Sequence, residues 1–361
     1  MKKDTICVQG AKDKHNSTGA IAVPIYQSAT FSHPGVEQST GYDYSRVQNP
    51  TREALEQVIT KLECAVDTLA FSTGMAAEAA LMELFNPGDH IIATDDLYGG
   101  SIRLFDTISK KNGLTFDYVD TRNISNIKTK INDKTKAIFI ETPTNPMMKI
   151  TDIAAVAELT KNTDILLIVD NTFLTPYLQQ PLTLGADIVV HSGTKYLGGH
   201  NDTLAGFLSV NNTELAERLR FIHKTVGACL SPFDSFLIIR GIKTLAIRME
   251  KAQANAIVLA EWLSKQVQVK QVNYPGIGAM ISFAVDSQQT ARRILESVEV
   301  MMFAESLGGV ETLITYPMLQ THADVPIEDR ISRGIDEKLL RMSVGIENVE
   351  DLIADLERAI K

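Results

Sequence analysis

The sequence predicts an α/β fold: a mostly parallel seven-stranded sheet followed by a smaller C-terminal α+β domain. Three observations predict it. From Arg52 onward, apolar runs of strand length alternate with longer helical stretches. Most of these runs are apolar without interruption, which marks strands buried on both faces under covering helices. After about Leu230 the alternation gives way to one long span of helical spacing, then to isolated strand-like runs.

Taken in order, residues 1–51 are rich in Pro, Gly, Ser, Thr and Tyr without sustained periodicity. They read as an extended arm with little core of its own, of the kind that reaches a partner subunit. Residues 52–230 carry DTLAF, HIIAT, TFDYV, KAIFI, ILLIV, DIVVH and GFLSV, the seven strands of the main domain. Residues 231–361 open with the helical span LIIRGIKTLAIRMEKAQANAIVLAEWLSKQ, continue with strands at AMISFAV and ETLITYP, and close with the amphipathic helix ENVEDLIADLERAI.

A chain of 361 residues, 44% hydrophobic, can bury one large core and a smaller one. Its 44 acidic side chains outnumber 35 basic ones, with no basic run long enough to track a phosphate backbone, so nucleic acid is not an expected partner. No apolar stretch reaches the roughly 20 residues that span a bilayer, and MKKDTICVQG lacks the apolar segment of a signal peptide. A cytoplasmic protein is expected. Cys7, Cys64 and Cys229 read as buried reduced thiols, and the histidines show no metal-ligand spacing, so no metal is expected.

ILLIVD ends in Asp170, and DIVVHSGTK places Lys195 just past a later strand. Both polar groups fall at carboxyl ends of strands, where open α/β sheets bind ligands. Alone, the acid reads equally as an N-cap and the lysine as a solvated turn residue. Together they meet the needs of pyridoxal phosphate (PLP): a lysine to form the imine, and a carboxylate to keep the pyridine nitrogen protonated. AFSTGMAAEAA adds a strand, a tight turn and a helix, so the amides of Gly74 and Met75 open a helix whose dipole favours an anion. Ser192 and Thr194 contribute hydroxyls to the same phosphate. No GxxxxGK[ST] supports a nucleotide instead.

GYDYSRVQNPTR, ETPTNP, VDNTFLTPYLQQPLTLGADIVVHSGTKYLGGH and AESLGGVETL resemble the Cys/Met-metabolism family of PLP enzymes over nearly the whole chain. Within it the resemblance is greatest to cystathionine γ-synthases and γ-lyases. It implies the aminotransferase-like type I PLP fold and a homotetramer of two tight dimers with shared active sites. It further implies that Lys195 is the imine lysine, that Asp170 pairs with the ring nitrogen, and that Tyr98 stacks on the cofactor and assists proton transfer. Gly74, Met75, Ser192 and Thr194 would hold the phosphate from one subunit, with Tyr44 and Arg46 reaching it from the neighbour. Asn145 and Arg341 would bind the substrate carboxylate, with Ser306 close by. Without the resemblance, Arg341 reads as an ordinary surface charge.

Glu305 is similar to the acid found in members that handle cystathionine, where it attracts a distal ammonium or restrains an incoming cysteine. Methionine γ-lyases typically lack it, and typically carry a cysteine where this chain has Gly100. Arg103 and Asp43 also match polar positions of the cystathionine enzymes; each has the alternative reading of a solvated loop charge, nearly equal in weight for Asp43. The expected reaction is γ-replacement or γ-elimination on an O-acylhomoserine, with cysteine as the incoming thiol, or on cystathionine. Cystathionine β-lyase is the nearest alternative, followed by methionine γ-lyase and homoserine sulfhydrylase. A non-catalytic PLP-fold binding module is the remote one, since such proteins usually lose the lysine or the tyrosine.

One departure stands out. After VNYPG the family carries a longer, often histidine-containing segment, whereas here Gly276 runs directly into Ile277 and Gly278.

Overall fold

The computed structural model describes residues 1–321, 323 and 326–361. Its main sheet contains β1 (Asp67–Phe71), β2 (His90–Thr94), β3 (Thr115–Val119), β4 (Thr135–Glu141), β5 (Leu166–Asp170), β6 (Ile188–Ser192) and β7 (Gly206–Val210) in the spatial order β1-β7-β6-β5-β4-β2-β3. All pairings are parallel except those of β7, which runs antiparallel to both β1 and β6. The seven apolar runs read from the sequence are these seven strands. The central ones are buried along their length because helices cover both faces.

The arm carries more structure than its composition suggests. Lys3–Gln9 forms a short helix that buries Cys7, and the helix Pro50–Glu63 starts before Arg52. Asn49 caps that start, its Oδ1 accepting from the amides of Thr51 (3.0 Å) and Arg52 (3.4 Å), and Pro50 occupies a first-turn position where no amide is needed. Of the three thiols expected to be buried only Cys7 is; Cys229 is half-buried, and Cys64 is an exposed residue that ends this helix in the left-handed conformation (φ 57°).

Beyond Leu230 the long helical span is two helices, Pro232–Ile242 and Leu245–Leu263. Leu55, Ile59 and Leu62 share one apolar cluster with Ile238, Leu245, Leu259, Ile281, Phe283 and Leu340, so a single core continues from the helix Pro50–Glu63 into the C-terminal part. There β8 (Val269–Asn273), β9 (Met280–Val285), β10 (Met302–Phe303), β11 (Leu313–Thr315) and β12 (Leu339–Ser343) form a second sheet of order β10-β11-β12-β9-β8. The departure at Gly276 lies in the turn between the antiparallel strands β8 and β9. Gly276 and Gly278 take φ values of 81° and 78° there, which glycine adopts without the penalty of a Cβ. Among the described residues, no helix is long and apolar enough to cross a membrane.

Candidate active site

Carboxyl ends of β4, β5 and β6 open on one cavity of about 490 Å³. Its lining includes Gly74, Met75, Tyr98, Arg103, Asn145, Asp170, Ser192, Thr194, Lys195, Glu305, Ser306 and Arg341. Twelve of the fifteen residues singled out in the sequence therefore meet in one place, while Asp43, Tyr44 and Arg46 line a different part of the molecule. A larger hollow of about 1140 Å³ lies between the arm and the helices Pro50–Glu63 and Thr213–Val226, and none of the fifteen lines it.

Lys195 sits in the turn after β6, with Nζ donating to Ser306 Oγ at 2.8 Å. Burial pushes its pKa down to about 8, the positive charge of Arg341 pushes the same way, and Glu305 partly opposes both. A lysine so placed gives up its proton more readily than a free lysine does, which favours its action as a neutral amine. Asp170 closes β5, its Oδ1 accepting from the Thr172 amide at 2.9 Å. Burial raises its pKa, against hydrogen bonds from Thr172 that lower it.

Gly74 starts the helix Gly74–Met82, whose first turn is fixed by Thr73 Oγ1 accepting from the Ala76 amide at 2.9 Å. Such a cap contributes about 1 kcal/mol and leaves the earlier amides facing outward. A Cβ at Gly74 would stand 3.1 Å from Ser192 Cβ, so glycine lets the helix start lie against the end of β6. The Thr194 hydroxyl accepts from the Ala205 amide at 3.1 Å, which fixes the turn that carries Lys195. Tyr98 begins the helix Gly99–Arg103, its amide donating to Glu141 Oε2 at 2.9 Å. A Cβ at Gly100 would come within 2.4 Å of the Tyr98 ring and 3.0 Å of Met75 Sδ, so any larger residue would displace that ring.

The second domain supplies the opposite wall. Arg341, in the middle of β12, is only 1% exposed. Its guanidinium donates to Asn145 Oδ1 (2.9 Å), the Ser306 carbonyl (2.9 Å) and Thr315 Oγ1 (3.2 Å). Burial pushes its pKa down to about 10, and Nε is buried with no partner. An orphaned donor on a prepositioned fork is what a carboxylate would satisfy. Ser306 holds φ at 88°, a left-handed conformation uncommon for serine, and touches both Lys195 and Arg341.

On the arm, Arg46 stacks over Tyr44 with its guanidinium carbon 5.6 Å from the ring centroid, and donates to the Lys224 carbonyl. Asp43 accepts from Ser39 Oγ at 2.6 Å and faces His33 Nε2 at 3.3 Å, so within its own chain it is part of the loop's polar surface.

Glu78 and Glu141 also line the cavity and were not singled out in the sequence, although both lie in quoted runs. A glutamate in an alanine-rich helix reads as a solvated face, and only the packing shows it buried. Nothing in the cavity's geometry conflicts with PLP. The glycine cradle against Ser192, the buried Asp170 at the strand ends, the amine of Lys195 and the orphaned Arg341 Nε fit a phosphate, a protonated ring nitrogen, an aldehyde and a substrate carboxylate respectively.

A family model described as "Cys/Met metabolism PLP-dependent enzyme" matches residues 4–361. The cystathionine γ-synthase/O-acetylhomoserine (thiol)-lyase of Bacillus subtilis is 51% identical over 343 residues, covering 95% of this chain and 92% of its own. A cystathionine β-lyase of Lactococcus lactis subsp. cremoris is 46% identical over 373 residues, with 99% and 98% covered. The crystal structure of cystathionine γ-lyase from Lactobacillus plantarum, complexed with L-serine, superimposes with a TM-score of 0.96 at 42% identity, covering 99% of this chain and 98% of that one.

Proposed function

This chain belongs to the Cys/Met-metabolism family of PLP-dependent enzymes, and from that premise we propose a transsulfuration enzyme of the cystathionine γ-synthase or γ-lyase type. The observation that carries the reading is the convergence of Lys195, Asp170 and Arg341 on one cavity. When bound, PLP supplies an electron sink for negative charge developing on the substrate's carbon skeleton.

The chain's own residues do the rest. Asp170 would keep a positive charge on the ring nitrogen, Tyr98 would stack on the ring, and the amides of Gly74 and Met75 with Ser192 and Thr194 would hold the phosphate. Arg341 and Asn145 hold the substrate carboxylate, which fixes the amino acid's orientation. Lys195, as a neutral amine, would be the base that takes the α-proton. Its lowered pKa matches that task near neutrality. The same amine moves a proton from the β-carbon, the extra step that a γ-leaving group requires. Ser306 steadies the amine, as its 2.8 Å hydrogen bond suggests. Glu305 and Arg103, at the mouth of the cavity, select the distal polar group of cystathionine or the amino group of incoming cysteine.

Tyr44, Arg46 and Asp43 serve a neighbouring subunit's site in a homotetramer built of dimers; their place on the arm, away from their own chain's cavity, supports this reading. The cytoplasmic location belongs to the same proposal.

A β-lyase is the second reading, favoured by the 46% identity to the Lactococcus enzyme. Product identity separates the two. From cystathionine, γ-elimination gives cysteine, 2-oxobutanoate and ammonia, whereas β-elimination gives homocysteine, pyruvate and ammonia. From an O-acylhomoserine and cysteine, γ-replacement gives cystathionine and the free carboxylic acid. We expect 2-oxobutanoate or newly formed cystathionine. Pyruvate with homocysteine as the sole products would overturn the γ-reading.

A further inference from the structure

Three carboxyls crowd the strand-end side of the cavity: Asp170 at the end of β5, Glu141 at the end of β4, and Glu78 on the helix Gly74–Met82. Glu78 is 4% exposed. Its Oε1 accepts from Ser101 Oγ at 3.0 Å, while Oε2 is buried with no partner. Among the described residues, the groups that bear on it are acids or hydroxyls: Asp170, Glu141, Tyr98 and Ser101. The cations of the cavity, Lys195, Arg103 and Arg341, act on other groups, Arg103 on Tyr98 and Arg341 on Glu141 among them.

The proposed function requires Asp170 to be ionised opposite the ring nitrogen, and the inference rests on that reading. Burial chiefly, and Asp170 next, push the Glu78 pKa up to about 8, with Ser101 opposing. In a low-dielectric pocket a second, unpaired carboxylate beside an ionised one is strongly disfavoured. We propose that Glu78 is a cofactor-positioning residue that works as a neutral carboxylic acid, accepting from Ser101 on Oε1 and keeping its proton on Oε2, so that Asp170 alone carries the charge paired with the cofactor ring. Glu78 is already almost closed off from water, and the cofactor's phosphate, received at the start of the same helix, would add negative charge near it. Above the pH at which Glu78 ionises in the free protein, cofactor uptake must therefore return a proton to it.

PLP affinity of the full-length protein, measured by titration of visible absorbance between about pH 6.5 and 9.5, tests this in the wild type, Glu78→Gln, Glu78→Ala and Ser101→Ala. Glutamine keeps the shape and the absence of charge. Glu78→Gln is expected to bind PLP within about threefold of wild type at neutral pH. At higher pH it should outbind wild type by about tenfold for each unit above the break near pH 8. Ser101→Ala leaves Glu78 in place but removes its donor, and should move the wild-type break upward. Glu78→Ala should bind at least about tenfold more weakly than wild type at neutral pH and show no break near pH 8.

A loss of tenfold or more in Glu78→Gln at neutral pH would overturn the proposal by showing that an ionised carboxylate is required. Affinities of Glu78→Gln and Glu78→Ala indistinguishable from wild type at every pH would overturn it by showing no role. If the wild type takes up no PLP, or Lys195→Ala gives the same visible band, the reading of the cavity fails instead.

Discussion

The two walls of the cavity are built on opposite electrostatic plans. Strand ends of the main sheet present Asp170, Glu141 and Glu78, all with pKa values raised by burial. Across from them the second sheet presents Arg341, whose own pKa burial pushes down. One wall is thus prepared for a cationic ring nitrogen and the other for an anionic carboxylate. Each holds its charge away from water, where a ligand of the opposite sign compensates the cost of burying it. Lys195 stands between them and takes its lowered pKa from the shared burial and from Arg341.

The largest expected effect comes from the cationic wall. Arg341→Lys keeps the charge but loses the fork to Asn145, Ser306 and Thr315. It should raise KM by about 100-fold with a smaller change in kcat, as removal of ground-state carboxylate binding requires. A KM within a few-fold of wild type would show that the carboxylate binds elsewhere, and the contrast between the walls would lose its meaning.

A smaller effect sharpens the same contrast. Because the Lys195 pKa lies below that of a free lysine, a far larger share of it is neutral near neutrality than of a free lysine. Its rate of reaction with an aldehyde probe should rise tenfold per pH unit below about pH 8 and level off above it. In Arg341→Gln the midpoint should move upward, since the nearby cation that disfavours a protonated amine is gone. A midpoint that stays in place would assign the whole shift to burial.

How much of this could be read from the chain differs between the walls. β4, β5 and β6 are buried on both faces, so their apolar runs announced themselves, and Asp170 and Lys195 were found at the ends. β8, by contrast, is VKQVN, half-exposed and polar at an edge, and carries little strand signal. β12 hides its own identity by placing Arg341 in the middle of an apolar run. That arginine was assigned only through the family resemblance; its burial and its orphaned Nε are properties of tertiary packing. Glu78 and Glu141 escaped for the converse reason. An acid's local sequence does not record that helix and strand ends will close over it. The arm shows the same limit on a smaller scale, since the helix Lys3–Gln9 is too short to display a period and is fixed by packing Cys7 into the shared core.

Lys195 joins the two walls, and the most direct measurement of the account is where the cofactor is attached. Borohydride reduction of the holoenzyme, followed by digestion and mass mapping, should find the pyridoxyl group on Lys195 and on no other lysine. Attachment to a different lysine in a fully active preparation would contradict it.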